Sequence, residues 1–241
     1  MERRHLLKAF AGLALCPICA SGRAFAEEGH HWDYSNQNWG GVCGTGDRQS
    51  PIDIKSARPA ALPALQIAWG VQATTIANNG HTIQVNCGGT LRRGNEIYTL
   101  QQFHFHHPSE HRINGKVYQM EVHFVHARQG GGRGVVAAFM TRGALNQTFH
   151  HIANYMPAKA KTVSAPRGTN PKDLLPASLR YYTYPGSLTT PTPTCEQDVT
   201  WMVLAQPITA GVTDIAKFAK LFPGNARRPQ PIKSRTVQVS S

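Results

Sequence analysis

The apolar positions of this chain fall mostly in short β-branched and aromatic runs: TIANNGHTIQVNC (75–87), EIYTLQQFHFH (96–106), YQMEVHFVHA (118–127), GVVAAFMTRG (134–143) and VTWMVLAQPI (199–208). Clusters of Gly, Pro and Asn punctuate them, which is the pattern of strands joined by turns. Helix signals are sparse. Two short helices are predicted, over Thr148–Met156 before Pro157 and over Asp214–Leu221 before Pro223. There is no internal repeat, and the Pro/Thr-rich stretch TTPTPTCEQD is too short to be a linker. These patterns predict a single β-dominated domain.

Alternation sorts the side chains by face, because successive strand residues point to opposite sides. Over Leu100–His107, Gln102, His104 and His106 share one face while Phe103 and Phe105 bury the other. Over 120–127, Glu121, His123 and Val125 share a face, opposite Val122, Phe124 and His126. The INGK sequence between them carries Asn-Gly, the strongest short hairpin signal. A turn centred on Asn114-Gly115 pairs His106 with His123, with His104 as the next neighbour on that face. Pro108 cannot donate to a ladder and interrupts pairing between His106 and the turn. Three converging histidines without a fourth protein ligand form the pattern of a catalytic Zn2+ whose remaining position holds water. Such a metal lowers the pKa of its water to about 7. Gln102 and Glu121 are placed to accept from the ligands' other ring nitrogens.

Composition narrows the partners. The first 26 residues hold basic side chains, an apolar run from about Ala9 to Ala20, and Ala24-Phe25-Ala26, which reads as a secretory signal cut before Glu27. Its adjacent arginines resemble the twin-arginine class of bacterial signal, with ordinary secretory export as the alternative. This leaves residues 27–241 as one domain, periplasmic or secreted. Removing the leader, with its four basic residues and Glu2, takes the formal charge from +12 to about +9. The basic residues are scattered and form no basic helix, so the charge favours anions generally and nucleic acid is not expected. No further apolar run reaches membrane length, and membrane insertion is not expected. Cys43, Cys87 and Cys195 remain, enough for one bridge and one free thiol, with the pairing open.

Several longer motifs then act together. GDRQSPIDI (46–54), NNGH (78–81), QFHFHHPSEH (102–111), MEVHFVHA (120–127), LLPASLRYYTYPGSLTTP (174–191) and VTW (199–201) occur in the order found in α-class carbonic anhydrases. By these motifs the chain resembles exported bacterial members of that family over nearly its whole length beyond the leader. The resemblance implies a large twisted, mostly antiparallel central sheet of about ten strands with few short helices. It also implies reversible hydration of CO2 to bicarbonate and a proton by zinc hydroxide. It makes His104, His106 and His123 the zinc ligands, with Gln102, Glu121 and Asn225 behind them. Thr189 corresponds to a gatekeeper threonine and Glu110 to its acceptor. His81 corresponds to the proton shuttle, suited by an ordinary pKa near 6.5. Tyr34, Asn79 and Gln84 match the polar side of the cavity and its ordered water.

Val125, Val135, Leu188, Thr190, Val199 and Trp201 match the wall around the substrate, together with Thr189. Cys43 and Cys195 match the bridging cysteines of exported members, leaving Cys87 free and buried. The family also implies one Zn2+ per chain, inhibition by anions and sulfonamides, and a monomer or homodimer. One departure is the PTPT stretch between Thr190 and Cys195, two residues longer than usual in bacterial relatives, which predicts a local bulge. Non-catalytic members of the fold lack one or more zinc histidines, and all three are present here. A copper/zinc superoxide dismutase would need a second metal cluster, for which only the isolated His150-His151 pair stands in the sequence.

Overall fold

Alternation along residues 96–106 becomes an eleven-residue strand at the centre of the sheet. The computed structural model describes residues 32–70, 72–191 and 194–241. The predicted leader lies outside the described residues, as do Thr192 and Pro193 of the PTPT stretch. We label the strands that carry the argument β1 (Thr75–Asn78), β2 (Ile83–Asn86), β3 (Glu96–His106), β4 (Met120–Arg128), β5 (Arg133–Arg142), β6 (Tyr181–Ser187) and β7 (Gln197–Leu204). Among the described residues they belong to a 13-stranded sheet. Its continuous ladder runs Lys161–Ser164, β1, β2, β3, β4, β5, β7, β6, Gln238–Ser240, Arg58–Ala60. Three further strands attach at its flanks. Most pairings are antiparallel, but β5 and β7 run parallel. Asp53–Ile54 and Arg112–Ile113 form a separate parallel pair.

The sheet is covered on both faces, which is why β4 is buried along nearly its whole length. One face carries Phe103, Phe105, Val122 and Phe124 in the larger core cluster. Two helices, α1 (Gln147–Tyr155) and α2 (Val212–Leu221), contribute Phe149, Ile152, Ile215 and Phe218 to it. Phe105 meets Phe149 and Phe218 with ring centroids 5.2 and 6.0 Å apart. The Asn146 side chain caps α1 by accepting from Phe149 N at 3.0 Å. Both helices lie within about two residues of the predicted spans. The opposite face packs Val125, Val135, Ala137, Phe139 and Trp201 into a smaller cluster.

The hairpin register differs from the prediction. His104, not His106, pairs with His123, and His106 pairs with Glu121. The Asn114-Gly115 turn does form, with φ of 50° and 78° at its two central residues. It closes a separate excursion, however, rather than joining β3 to β4. After His106 the chain leaves the ladder, and Ser109 N donates to Tyr118 O at 3.1 Å. Glu110 N and His111 N then both donate to Glu121 Oε2, at 2.9 and 2.8 Å. That anchor fixes the register two residues away from a simple hairpin. A shift of two preserves every side chain's face, so the histidines still converge.

A disulfide joins Cys43 to Cys195, and Cys87 is free and buried. Burial pushes the Cys87 thiol up to about 12, which keeps it protonated and unreactive at neutral pH. His126, on the helix-side face, lies among Trp69 and Tyr98 and donates from Nδ1 to Gly134 O at 3.2 Å. Burial lowers its pKa from the ordinary 6.5 to about 4. Between those values the unfolded chain binds a proton that the folded chain does not. This contribution to stability is therefore complete above about pH 6.5 and is lost as pH falls toward 4. At about 1.4 kcal/mol per pKa unit, it amounts to roughly 3 kcal/mol. Urea unfolding between pH 7 and 4 is expected to show an acid loss smaller by about that amount in His126→Gln than in the native chain.

Candidate metal centre and cleft

The rings of His104, His106 and His123 meet on the sheet face away from the helices, with centroids 4.5–5.3 Å apart. One nitrogen from each lies within 4.8 Å of the other two. The remaining nitrogen of each ring is committed. His104 Nδ1 donates to Gln102 Oε1 at 2.9 Å, His106 Nδ1 to the Asn225 carbonyl at 2.7 Å, and His123 Nε2 to Glu121 Oε1 at 2.9 Å. Because all three partners are acceptors, the ring protons sit on that side. This leaves bare nitrogens facing one another: Nε2 of His104, Nε2 of His106 and Nδ1 of His123. His106 Nε2 is buried with no hydrogen-bond partner. Such an orphaned acceptor is costly in an apolar medium unless a cation satisfies it. Burial, reinforced by the neighbouring imidazoles, holds His104 well below the usual histidine range, and burial also lowers His106. Both are neutral, with lone pairs available, at pH 7. Three imidazoles whose far ring nitrogens are held by acceptors fit Zn2+ in an open three-histidine site.

Behind the ligands runs a buried polar chain. Glu121 Oε1 also accepts from His111 Nδ1 at 2.7 Å. His111 Nε2 meets Tyr184 Oη at 2.7 Å, and Tyr184 donates to Ser50 Oγ at 3.0 Å. Burial alone would push the Glu121 carboxyl up, but the imidazoles of His111 and His123 outweigh it and hold it well below the usual carboxylate range. His111, Glu121 and His123 could also approach one ion. Their facing atoms are already spent on each other, so this group serves as support. Asn225 joins two elements. Its side chain donates to the carbonyls of His81 and Phe105 at 3.0 and 2.9 Å and accepts from His107 N at 2.7 Å.

The three histidines lie in a cleft of about 460 Å³ that also reaches His81, Tyr34, Asn79 and Gln84. Val125, Val135, Leu188 and Trp201 line it on the apolar side, with Thr189 and Thr190. Val199 does not line it. That residue shares a strand face with Trp201 and packs in the same smaller core cluster, paired with Arg133 at the start of β5. Asn79 does more than line the wall: its Oδ1 accepts from His81 N and Thr82 N, shaping the turn that presents His81. The His81 ring stacks on Trp32 with centroids 3.9 Å apart. Thr189 is buried and lines the cleft. No hydrogen bond joins it to Glu110, whose Oε1 accepts from Arg227 N at 2.8 Å while Oε2 is buried without a hydrogen-bond partner, 3.9 Å from His123 Nδ1.

Four contributors went unnoticed in the sequence: Trp32, Thr82 and Arg133 line the cleft, and Arg227 braces it from behind. His111, which is no ligand, braces Glu121. It lies beyond the end of β3 at His106, where alternation no longer sorts faces. Arg227 had no local signal, since its guanidinium reaches Gln49, the Ser50 carbonyl and the Cys43 carbonyl, all remote in sequence.

Residues 27–241 match the family model for eukaryotic-type carbonic anhydrase. The chain belongs to that family. Membership implies hydration of CO2. A carbonic anhydrase of Pectobacterium carotovorum is 39% identical over 236 residues, 91% of this chain and 94% of that one. The α-carbonic anhydrase of Thermovibrio ammonificans, solved with sulfanilamide, superposes with a TM-score of 0.78 at 37% identity, covering 82% of this chain and 89% of that one. A Chlamydomonas reinhardtii carbonic anhydrase solved with acetazolamide gives 0.79 at 33% identity, covering 87% and 99%.

The hydrogen bonds behind the carbonic anhydrase histidines predict a measurable effect on metal. Gln102→Leu leaves His104 Nδ1 without its acceptor and frees the ring to turn. Zn2+ affinity, measured by competition with a chelator, is expected to fall about 10- to 100-fold while the fold is retained.

Proposed function

We propose that this family member is a zinc-dependent carbonic anhydrase that hydrates CO2 reversibly, with His104, His106 and His123 holding the metal. The observation that carries the reading is the set of three bare nitrogens facing one another, each ring pinned from behind. Zn2+ held by three histidines supplies a hydroxide nucleophile at neutral pH. The chain's own residues supply the rest. Val125, Val135, Leu188 and Trp201 offer an apolar seat for CO2, which has no charge to hold. The Thr189 hydroxyl has one proton, and Glu110 Oε2 has unspent lone pairs. Donating that proton to Glu110 would turn the hydroxyl's lone pairs toward the histidines, where they would orient a nucleophile by accepting its proton in a hydrogen bond.

His81 receives the proton released by each turnover and passes it to solvent. Its turn is fixed by Asn79 and by the Asn225 amide, and Tyr34, Asn79 and Gln84 give the intervening space polar walls. Sulfonamides and inorganic anions would occupy the same cleft. Residues 1–26 would direct export to the periplasm or beyond and be removed, which suits the disulfide.

Stopped-flow CO2 hydration, together with zinc analysis, tests the assignment. The native protein is expected to bind one zinc per chain and to be active, and His104→Ala to lose both. A zinc-loaded but inactive native protein would overturn the reading. Thr189→Ala is expected to lower kcat/KM on the order of 100-fold with zinc retained. His81→Ala should lower kcat roughly 10- to 100-fold with kcat/KM unchanged, and added imidazole buffer should restore it.

A further inference from the structure

The apolar side of the cleft contains one cation. Arg133 begins β5 and lines the cleft two residues from Val135, on the same strand face. Across β4, the cleft-facing rows pair His123 with Ala137, Val125 with Val135 and Ala127 with Arg133. Four residues at the rise of a strand put the Arg133 backbone about 13 Å outward from the His123 row, at the cleft mouth. The guanidinium can fold back toward the histidines across Val135.

Its present partner is held loosely. Arg133 Nε and Nη2 both approach the same carboxylate oxygen, Glu196 Oε2, at 3.2 Å. The side chains are 37% and 45% exposed. This is not the fork-to-fork geometry that makes arginine–carboxylate pairs strong, and exposed pairs contribute little. Several guanidinium N–H donors have no acceptor among the described residues. Glu196 is itself fixed to the rim, because its carbonyl accepts from Leu188 N at 2.8 Å. An incoming carboxylate could therefore replace Glu196 without moving the backbone.

We propose that Arg133 makes the cleft mouth a carboxylate-selective subsite, so that ligands reaching the histidines with a carboxylate tail are held by its guanidinium in exchange for Glu196. The inference rests on the zinc reading above, since that site anchors the other end of the ligand. Arg133 is in this respect a residue that determines ligand specificity, and the chain's positive charge adds long-range attraction for anions.

Calorimetric titration of the zinc-loaded protein with 4-sulfamoylbenzoate and its neutral isostere 4-sulfamoylbenzamide tests it. At low ionic strength the carboxylate is expected to bind roughly three- to fivefold more tightly, and added salt to shrink the preference. Arg133→Met should remove the preference while leaving the carboxamide's Kd unchanged, and Glu196→Gln should enlarge it. Equal affinities in the native protein, a preference that survives in Arg133→Met, or loss of carboxamide binding in that variant would each overturn the proposal. Failure of both sulfonamides to bind would overturn the zinc reading itself, and this inference with it.

Discussion

The site depends on one constraint: each inward-facing imidazole must give its only proton to an acceptor on the far side. A neutral imidazole has one N–H and one lone pair, so fixing the first aims the second. Gln102, the Asn225 carbonyl and Glu121 provide those acceptors from a strand, a distant segment near the C-terminus and the facing strand. Burial then keeps His104 and His106 uncharged, because an unpaired imidazolium there would be poorly solvated. Further polar groups fix the acceptors in turn. Glu121 accepts from two backbone amides and two rings, a load only a carboxylate with several lone pairs can take.

Much of this was legible in sequence because strand parity is a strong, local rule. Phe103 and Phe105 against His104 and His106 oriented the strand unambiguously, and the structure buries both phenylalanines completely. The helices were legible from the prolines that follow them. The hairpin register was not, although its turn was read correctly. An Asn-Gly turn reports local φ angles, not how far its arms remain paired. The chain between His106 and Met120 instead folds back on Glu121 through contacts that no spacing rule encodes. The supporting position of His111 was not legible for the same reason, since alternation has no meaning once the strand ends.

What sequence could not supply was mostly long-range. Arg227 bonds the Cys43 carbonyl across 184 positions, and its backbone holds Glu110 across 117. Val199 shows the converse limit. It shares a strand face and a core cluster with Trp201, yet only Trp201 is among the residues that line the cleft, a difference that alternation does not encode. Arg133 escaped attention because an isolated basic residue at a strand start is usually a solvated surface charge. Only the pairing of Ala127 with Arg133, in line with the histidine rows, places it on the cleft.

Asn225 and Arg227 lie close to the end of the chain, yet they complete the settings of His106, His81 and Glu110. Strands β3 and β4 can pair as soon as they exist, but the third acceptor arrives only with the final segment. The order of synthesis thus separates building the scaffold from finishing the site. The ring of His106 is therefore oriented only once a segment 119 positions further along the chain has docked.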